Sequence, residues 1–235
     1  MRRFVFIVLL LIGVLSCREE LPVNGGGTSP FLFRLSPGTW YSFDNWKLDS
    51  FGQRIASSYF RNSWTVADTG RVVNGRMTVT VVIDSTFDTT GVFVRSDSLL
   101  YSTDPSGDVY QWGFLSSLIA ERETLLLAPQ WDRIAAFSQP TGSSWVIATI
   151  DTSIGGRANE TVLGRIGTSS VYVGPILING EEGTILSYRI EITKPRMYYS
   201  FWITETPPSI ARALDDSDAL RNAELRELKV ILTGR

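Results

Sequence analysis

Residues 184–193 read TILSYRIEIT, and this stretch decides the fold class. Apolar side chains occupy every second position from Leu186 to Ile192, and the positions between them are polar or charged. A period of two is typical of a strand with one buried face. The segments 76–83 and 225–233 repeat the pattern. We therefore predict antiparallel sheet with one face in solvent.

Turn sequences separate these runs. Asn74-Gly75 and Asn179-Gly180 are strong β-hairpin signals, and DPSGD at 104–108 predicts a tight turn. The chain is therefore predicted to be mainly β, as an antiparallel sandwich or a partly open barrel with at most one or two short helices. The predicted strands are 39–47, 55–66, 76–83, 91–95, 98–103, 108–114, 123–128, 144–150, 161–166, 170–173, 184–193, 197–205 and 225–233.

Helix signals are few. The segment 114–123 predicts two helical turns. The segment 209–228 is ambiguous, because its Ala, Leu, Arg and Glu content favours a helix, whereas the aspartates at 215–218 favour a turn. A hairpin that joins 209–214 to 225–233 is the alternative. We expect a short helix or a loop over 209–224.

The chain begins as an exported protein does. Met1-Arg2-Arg3 supplies a basic start, and apolar residues follow from Phe4 to Leu15. This is the pattern of a secretory signal. As a helix, the apolar run would rise about 18 Å, too short for a bilayer core of about 30 Å.

The signal ends in Val14-Leu15-Ser16-Cys17, which resembles the lipobox of bacterial lipoproteins. The resemblance implies cleavage between Ser16 and Cys17, acylation of Cys17, and attachment to the membrane through those acyl chains. Two or more chains give stable anchoring. Cys17 is the only cysteine of the sequence. Residues 1–16 are therefore predicted to be a lipoprotein signal peptide.

The residues after Cys17 bear on location. Arg18, Glu19 and Glu20 resemble the tract that directs lipoproteins of Bacteroidota-like bacteria to the cell surface. A solvated start of the tether explains the same residues, so a surface-exposed and a periplasm-facing anchor both stay open. Either way the expected location is the cell envelope, at the outer membrane.

Residues 17–30 are predicted to be the acylated cysteine and a flexible tether, because LPVNGGGTSP at 21–30 has linker composition. Residues 31–235 are predicted to form a single antiparallel β domain. Its opening, LSPGTWYSFD at 35–44, weakly resembles the start of uncharacterised β-rich secreted lipoprotein domains. That resemblance implies no activity.

Composition excludes several classes of chemistry. The chain has no histidine, and acylation removes the thiol of Cys17, so triads, thiolate catalysis and Cys/His metal sites are not expected. No catalytic residue and no cofactor is predicted. A hydrolase would have to use two carboxylates about 5–10 Å apart, one with a raised pKa. After cleavage 20 basic residues face 24 acidic ones, a formal charge of −4, which argues against nucleic acid.

For metals, only a weak calcium candidate exists. Asp215, Asp216 and Asp218 form the densest acidic cluster, but their spacing does not match an EF-hand. Turn aspartates that bond their own backbone are the preferred interpretation.

Aromatic residues leave the function open between packing and binding. In YYSFWI at 198–203 they occur on both faces of the predicted strand, which favours a buried central strand but also suits ligand stacking. We predict a membrane-anchored envelope protein with a non-catalytic binding domain. Its candidate ligands are a glycan, a lipid or an envelope protein. The alternatives are a lipid or lipoprotein carrier with an open barrel cavity, and a carboxylate-based secreted hydrolase.

Overall fold

The computed structural model describes residues 35–120, 127–150, 160–194, 197–204, 209–216 and 223–234. These residues form twelve strands, one α-helix and one 3₁₀ turn at Ala56–Ser58. The strands are β1 (Trp40–Lys47), β2 (Phe60–Val73), β3 (Arg76–Phe87), β4 (Phe93–Thr103), β5 (Val109–Trp112), β6 (Trp131–Ala135), β7 (Ser144–Ile150), β8 (Glu160–Ile178), β9 (Glu181–Lys194), β10 (Met197–Thr204), β11 (Ser209–Asp215) and β12 (Glu224–Leu232). The helix α1 spans Phe114–Ala120. The prediction of a mainly β fold with few helices is confirmed.

The strands form one curled sheet in the order β6-β5-β4-β3-β2-β1-β12-β11-β10-β9-β8-β7. All neighbours in this order run antiparallel. The end of β12 also pairs in parallel with β8, where Val230 lies opposite Leu177. This extra pairing closes β8 to β12 into a small five-stranded barrel. Of the predicted alternatives, the partly open barrel is therefore the right one.

The two ends of the sheet meet through a side chain. Trp145 on β7 donates a hydrogen bond from Nε1 to the carbonyl of Arg133 on β6, at 2.8 Å. The indole lies on Gly164, where an added Cβ would come within 2.2 Å of the ring. Only glycine permits this approach, and the approach brings β7 against β6.

The concave face of the sheet buries one continuous apolar cluster. It extends from Phe43 and Trp64 in the N-terminal strands to Ile190 and Phe201 in the barrel. Burial of this kind contributes about 25 cal/mol per Å² of apolar surface. The core therefore joins the two halves of the sheet.

The predicted hairpins are confirmed. Asn74 and Gly75 both have positive φ, 48° and 79°, as a type I′ turn requires. Asn179 and Gly180 repeat this at 52° and 92°. The turn at 104–108 is also present, with the Asp104 side chain accepting a hydrogen bond from the Ser106 N–H at 3.0 Å.

Several predicted elements need correction. Residues 209–215 form β11, neither helix nor loop, because they pair with β10 on one side and β12 on the other. Tertiary pairing overrides helix propensity here. The strand β6 was not predicted, and residues 55–59 contain the 3₁₀ turn, not a strand.

Other predicted boundaries of strands and helices differ less from those in the structure. The segments 91–95 and 98–103 are one strand, β4, and the segments 161–166 and 170–173 are one bulged strand, β8. The helix predicted at 114–123 is present over Phe114–Ala120. Residues 127 and 128 are not in a strand, and 123–126 lie outside the described residues.

Candidate ligand-binding cavity

The curled sheet encloses a cavity of about 300 Å³ at one end of its strands, here called the strand-end cavity. Its deep wall is apolar and buried, with Ile134 and Phe201 each about 1% exposed. Its mouth carries the exposed residues Arg95, Asp97 and Glu224. A partly apolar pocket with a few converging polar groups is the usual form of a small-molecule site.

Strand ends supply the polar part of the wall. Asn45 lies near the end of β1, and Asn62 lies near the start of β2. Asp84 lies near the end of β3, and Arg226 near the start of β12. Because adjacent antiparallel strands run in opposite directions, the end of one strand lies beside the start of the next. These four positions therefore meet at the same end of the four strands.

The four side chains form a connected set, here called the inner polar network. Arg226 Nε donates to Asn45 Oδ1 at 3.0 Å, and Asn45 Nδ2 donates to Asn62 Oδ1 at 3.0 Å. Asn62 Nδ2 donates to Asp84 Oδ1 at 2.9 Å. The Arg226 guanidinium lies 3.9 Å from Asp84 Oδ2, which closes the ring. Hydrogen bonds to partly buried charged groups contribute about 1.5–3 kcal/mol each.

Trp64 supplies an unused donor on the same wall. The residue is 1% exposed, and its Nε1 has no hydrogen-bond acceptor among the described residues. Three other buried side-chain atoms share this property, in Arg189, Ser200 and Arg212, but none of these residues lines the cavity. A buried N–H without a partner costs about 1–3 kcal/mol. Because the Nε1 atom is itself inaccessible to a water-sized molecule, this cost belongs to the core of the domain.

Aromatic rings surround the cavity. Trp64 lies 5.8 Å from Tyr101 between ring centroids, and Phe114 of α1 lies 5.6 Å from Tyr199 of β10. The Phe114–Tyr199 contact joins α1 to the barrel at the cavity wall. Burial raises the pKa of the Tyr101 hydroxyl far above its usual value, so it stays protonated in water at any ordinary pH.

Carboxylates outnumber cations around the cavity. Its acidic lining residues are Asp84, Asp97, Asp215 and Glu224, and its basic ones are Arg95 and Arg226. Asp84 and Asp97 lie directly opposite each other on β3 and β4. The cavity wall is therefore acidic as a whole.

The carboxyl group with a raised pKa lies elsewhere. Asp132 on β6 does not line the cavity, and burial raises its pKa. Its Oδ2 accepts the backbone N–H of Leu115 at 2.8 Å, which fixes the first turn of α1.

The convex face of the same strands carries a second polar group of residues, here called the outer row. Its members are paired directly across five strands: Asp44, Glu227, Arg212, Trp202 and Arg189. The guanidinium carbons of Arg189 and Arg212 lie 5.4 and 5.3 Å from the Trp202 ring centroid, on its two sides in the sheet. Glu227 also accepts from Arg54 at 2.7 Å. The outer row is thus held by its own contacts.

Some predicted site residues fall in the described part of the chain. Asp215 ends β11 as a buried residue of the cavity lining, so its interpretation as a solvated turn residue is wrong. Asp216 follows it, and Asp218 lies outside the described residues. Within the described ranges no group of three or more Asp, Glu, His or Cys side chains is arranged to hold a metal ion.

The predicted anchor lies outside the described residues. This applies to Ser16, Cys17, Arg18, Glu19 and Glu20, which stay predictions. No helix in the described segments is both long and apolar enough to cross a bilayer.

The inner polar network was not predicted from the sequence. A signal did exist: Tyr41 and Phe43 point to the core, and the next position on that face is Asn45. A polar residue at the end of an apolar strand face usually marks the point where the strand leaves the core and becomes exposed to solvent. Only the curl of the sheet turns this position into a cavity wall.

Two crystal structures have similar folds. One is an inferred lipoprotein from Parabacteroides distasonis, with a TM-score of 0.48 and 9% identity over 86% of this chain and 98% of that chain. The other is an inferred exported protein with a YmcC-like fold from Bacteroides fragilis, with a TM-score of 0.48, 10% identity and the same coverage. This degree of similarity transfers neither a family nor a function. No protein-family model and no curated protein matches the chain.

Proposed function

We propose that this protein is a lipid-anchored lipoprotein of the cell envelope whose β domain binds a small ligand, without catalysis, in the strand-end cavity. The observation that carries the binding role is the cavity of about 300 Å³, whose wall joins buried apolar side chains to the donors and acceptors of the inner polar network. A concave, partly apolar wall with a few converging polar groups is the usual form of a small-ligand site.

The two alternative functions fit the cavity less well. A carrier of membrane lipids needs a long, continuous apolar cavity, whereas this wall holds Asp84 and Arg226. A hydrolase needs a carboxyl group with a raised pKa beside a second carboxylate, and the raised pKa belongs to Asp132, outside the cavity.

The cavity also opens away from the point where the tether would join. The chain reaches β1 from Leu35, and Thr39 and Gly38 hydrogen-bond Val66 at that end. Asn45 and the cavity mouth lie at the other end of β1. Strands rise about 3.3 Å per residue, so the two ends are about 20–25 Å apart. A ligand could therefore reach the mouth while Cys17 stays anchored.

Ligand binding is tested on the full chain, purified in a detergent with a polyoxyethylene headgroup. The probes are neutral, cationic, anionic and apolar compounds of about 10–15 non-hydrogen atoms, and the readout is the shift of the melting temperature. We expect at least one compound to raise the melting temperature of the wild type.

The matched variants are Trp64→Phe, which removes the unused donor, and Trp131→Phe, which removes an indole outside the cavity. The shift should be lost or reduced in Trp64→Phe and kept in Trp131→Phe. Failure of every compound, or an equal shift in both variants, would contradict the proposed site.

The anchor is tested separately. Cys17→Ala should abolish labelling of the protein by a radioactive or clickable fatty acid in cells and leave the signal peptide uncleaved. A processed Cys17→Ala protein that still incorporates the label would refute the lipobox interpretation.

A further inference from the structure

We propose that the ligand of the strand-end cavity is a neutral, polyhydroxylated compound about the size of one sugar ring. This inference rests on the proposed function and names the substrate class of the same site. Three features of the wall carry it: the mixture of donors and acceptors, the surplus of carboxylates, and the aromatic rings beside them.

The first feature is that the polar wall presents both kinds of hydrogen-bonding group. The guanidinium of Arg226 donates, and the carboxylate of Asp84 accepts. A hydroxyl group both donates and accepts. Several hydroxyls on one ring can therefore satisfy donors and acceptors that lie side by side. An ammonium group only donates, and a carboxylate or phosphate only accepts.

The second feature is charge. Four carboxylates and two guanidinium groups line the cavity, so an anionic ligand meets a net negative wall. A cationic ligand would be attracted to the carboxylates, but it offers no acceptor to the guanidinium of Arg226. A neutral hydroxylated ligand is not repelled by the carboxylates, and its hydroxyl groups can accept as well as donate hydrogen bonds. It also leaves the Arg226–Asp84 contact in place.

The third feature is the apolar part of the wall. Phe60, Leu99, Phe114 and Tyr199 are partly accessible and line the cavity, and Phe60 lies directly opposite Asn45 of the network. A sugar ring has apolar C–H faces and a polar hydroxyl edge, so it can contact rings on one side and the network on the other. Aromatic walls with a few polar groups give orientation as well as affinity.

Size agrees with this class. A cavity of about 300 Å³ holds about ten water volumes at about 30 Å³ each. A hexose has about 12 non-hydrogen atoms, which is close to that capacity.

The experiment titrates the full chain, in the same polyoxyethylene detergent, with glucose, galactose, mannose and N-acetylglucosamine. Binding is followed by isothermal titration calorimetry and by saturation-transfer NMR. Decanoate, choline and inorganic phosphate serve as apolar, cationic and anionic probes. We expect at least one sugar to bind at millimolar or lower concentration and the three other probes to bind more weakly.

Two cavity variants and one control define the site. Asp84→Asn keeps the shape of the side chain but removes an acceptor, and it should weaken sugar binding about tenfold or more. Trp64→Phe changes a ring of the cavity wall and breaks no hydrogen bond among the described residues. It therefore tests the site even where Asp84→Asn fails to fold. It should weaken binding about five- to tenfold. Glu182→Gln, on the exposed β8–β9 hairpin, removes a charge outside the cavity and should leave binding unchanged.

The outcomes separate the inference from the proposed function. Binding of decanoate or choline in preference to all sugars, with loss in Trp64→Phe, overturns the polyhydroxylated class and leaves the cavity as the site. Sugar binding that is equal in wild type and both cavity variants overturns the inference as well. No binding of any probe, here and in the wider panel, contradicts the proposed function itself.

Discussion

The inner polar network and the outer row use similar side chains on the same strands, yet they are built differently. Arg226 and Glu227 are neighbours on β12 and belong one to each set. The carboxylates of the two sets are similarly buried, with Asp84 14% and Glu227 16% exposed, but Arg226 of the inner network is 27% exposed and Arg189 of the outer row is 40% exposed. Burial on the concave face thus makes the inner contacts the ones on which stability should depend.

The two sets also differ in what they leave unsatisfied. The outer row packs the guanidinium groups of Arg189 and Arg212 against Trp202, and the buried Nε atom of each arginine has no acceptor among the described residues. The inner network borders a cavity and stands beside an indole N–H that has no acceptor among the described residues. Similar residues therefore make a surface ladder on one face and a candidate binding site on the other.

The largest expected effect comes from Arg226→Met. The change removes the donor to Asn45 and the cation nearest Asp84, which leaves a carboxylate partly buried without its charge partner. We expect a loss of about 2–3 kcal/mol in the free energy of unfolding, measured by urea denaturation. A loss below about 0.5 kcal/mol would mean that the inner network contributes no more than a surface pair.

A smaller and pH-dependent effect is expected for Asp132→Asn. Asp132 contrasts with Asp84, because its described hydrogen bonds come from the neutral groups of Leu115 and Gln130 and its pKa is raised by burial. Its folded pKa therefore exceeds the unfolded value of about 3.9. The native state retains the proton longer, so wild-type stability falls as pH rises from about 4 through the folded pKa.

The asparagine variant lacks this titration and can still accept the Leu115 N–H. Its stability relative to wild type should therefore increase between pH 4 and pH 7, in urea denaturation at both values. A difference that stays constant or declines with pH would show that Asp132 does not titrate in this way.

The smallest expected effect is that of Arg212→Met in the outer row. The variant removes one cation from Trp202 and retains an apolar side chain of similar length. We expect a loss of about 0.5–1 kcal/mol. Comparison with Arg226→Met under identical conditions is the direct test of the contrast, since equal losses would make the two faces equivalent.

The strands and turns were largely predictable from the sequence. Alternation in 184–193 and the Asn-Gly pairs at 74–75 and 179–180 act over a few residues, and the structure has β9 and both hairpins where they predict them. For residues 209–214 the hairpin given as the alternative is right and the expected helix or loop is wrong, because pairing with β10 and β12, which the local sequence does not encode, overrides a helix-favouring composition.

The buried face was harder to predict than the strand itself. In β3 the face of Val79, Val81 and Ile83 is the more apolar by sequence, but only Val79 is buried and the other two are half-buried. The core also takes Val82 from the opposite face, and that face carries Asp84 into the cavity. Polar residues on the concave face reverse the usual assignment of polar positions to solvent.

The sequence by itself determined the β character of the chain, its hairpins and the absence of histidine chemistry, because these depend on residue type and short-range periodicity. The tertiary structure alone decided that a cavity exists and which residues line it. Asn45 and Arg226 are 181 positions apart. They meet because β12 returns to pair with β1, and the register of that pairing, which no local pattern specifies, places both side chains on the concave face.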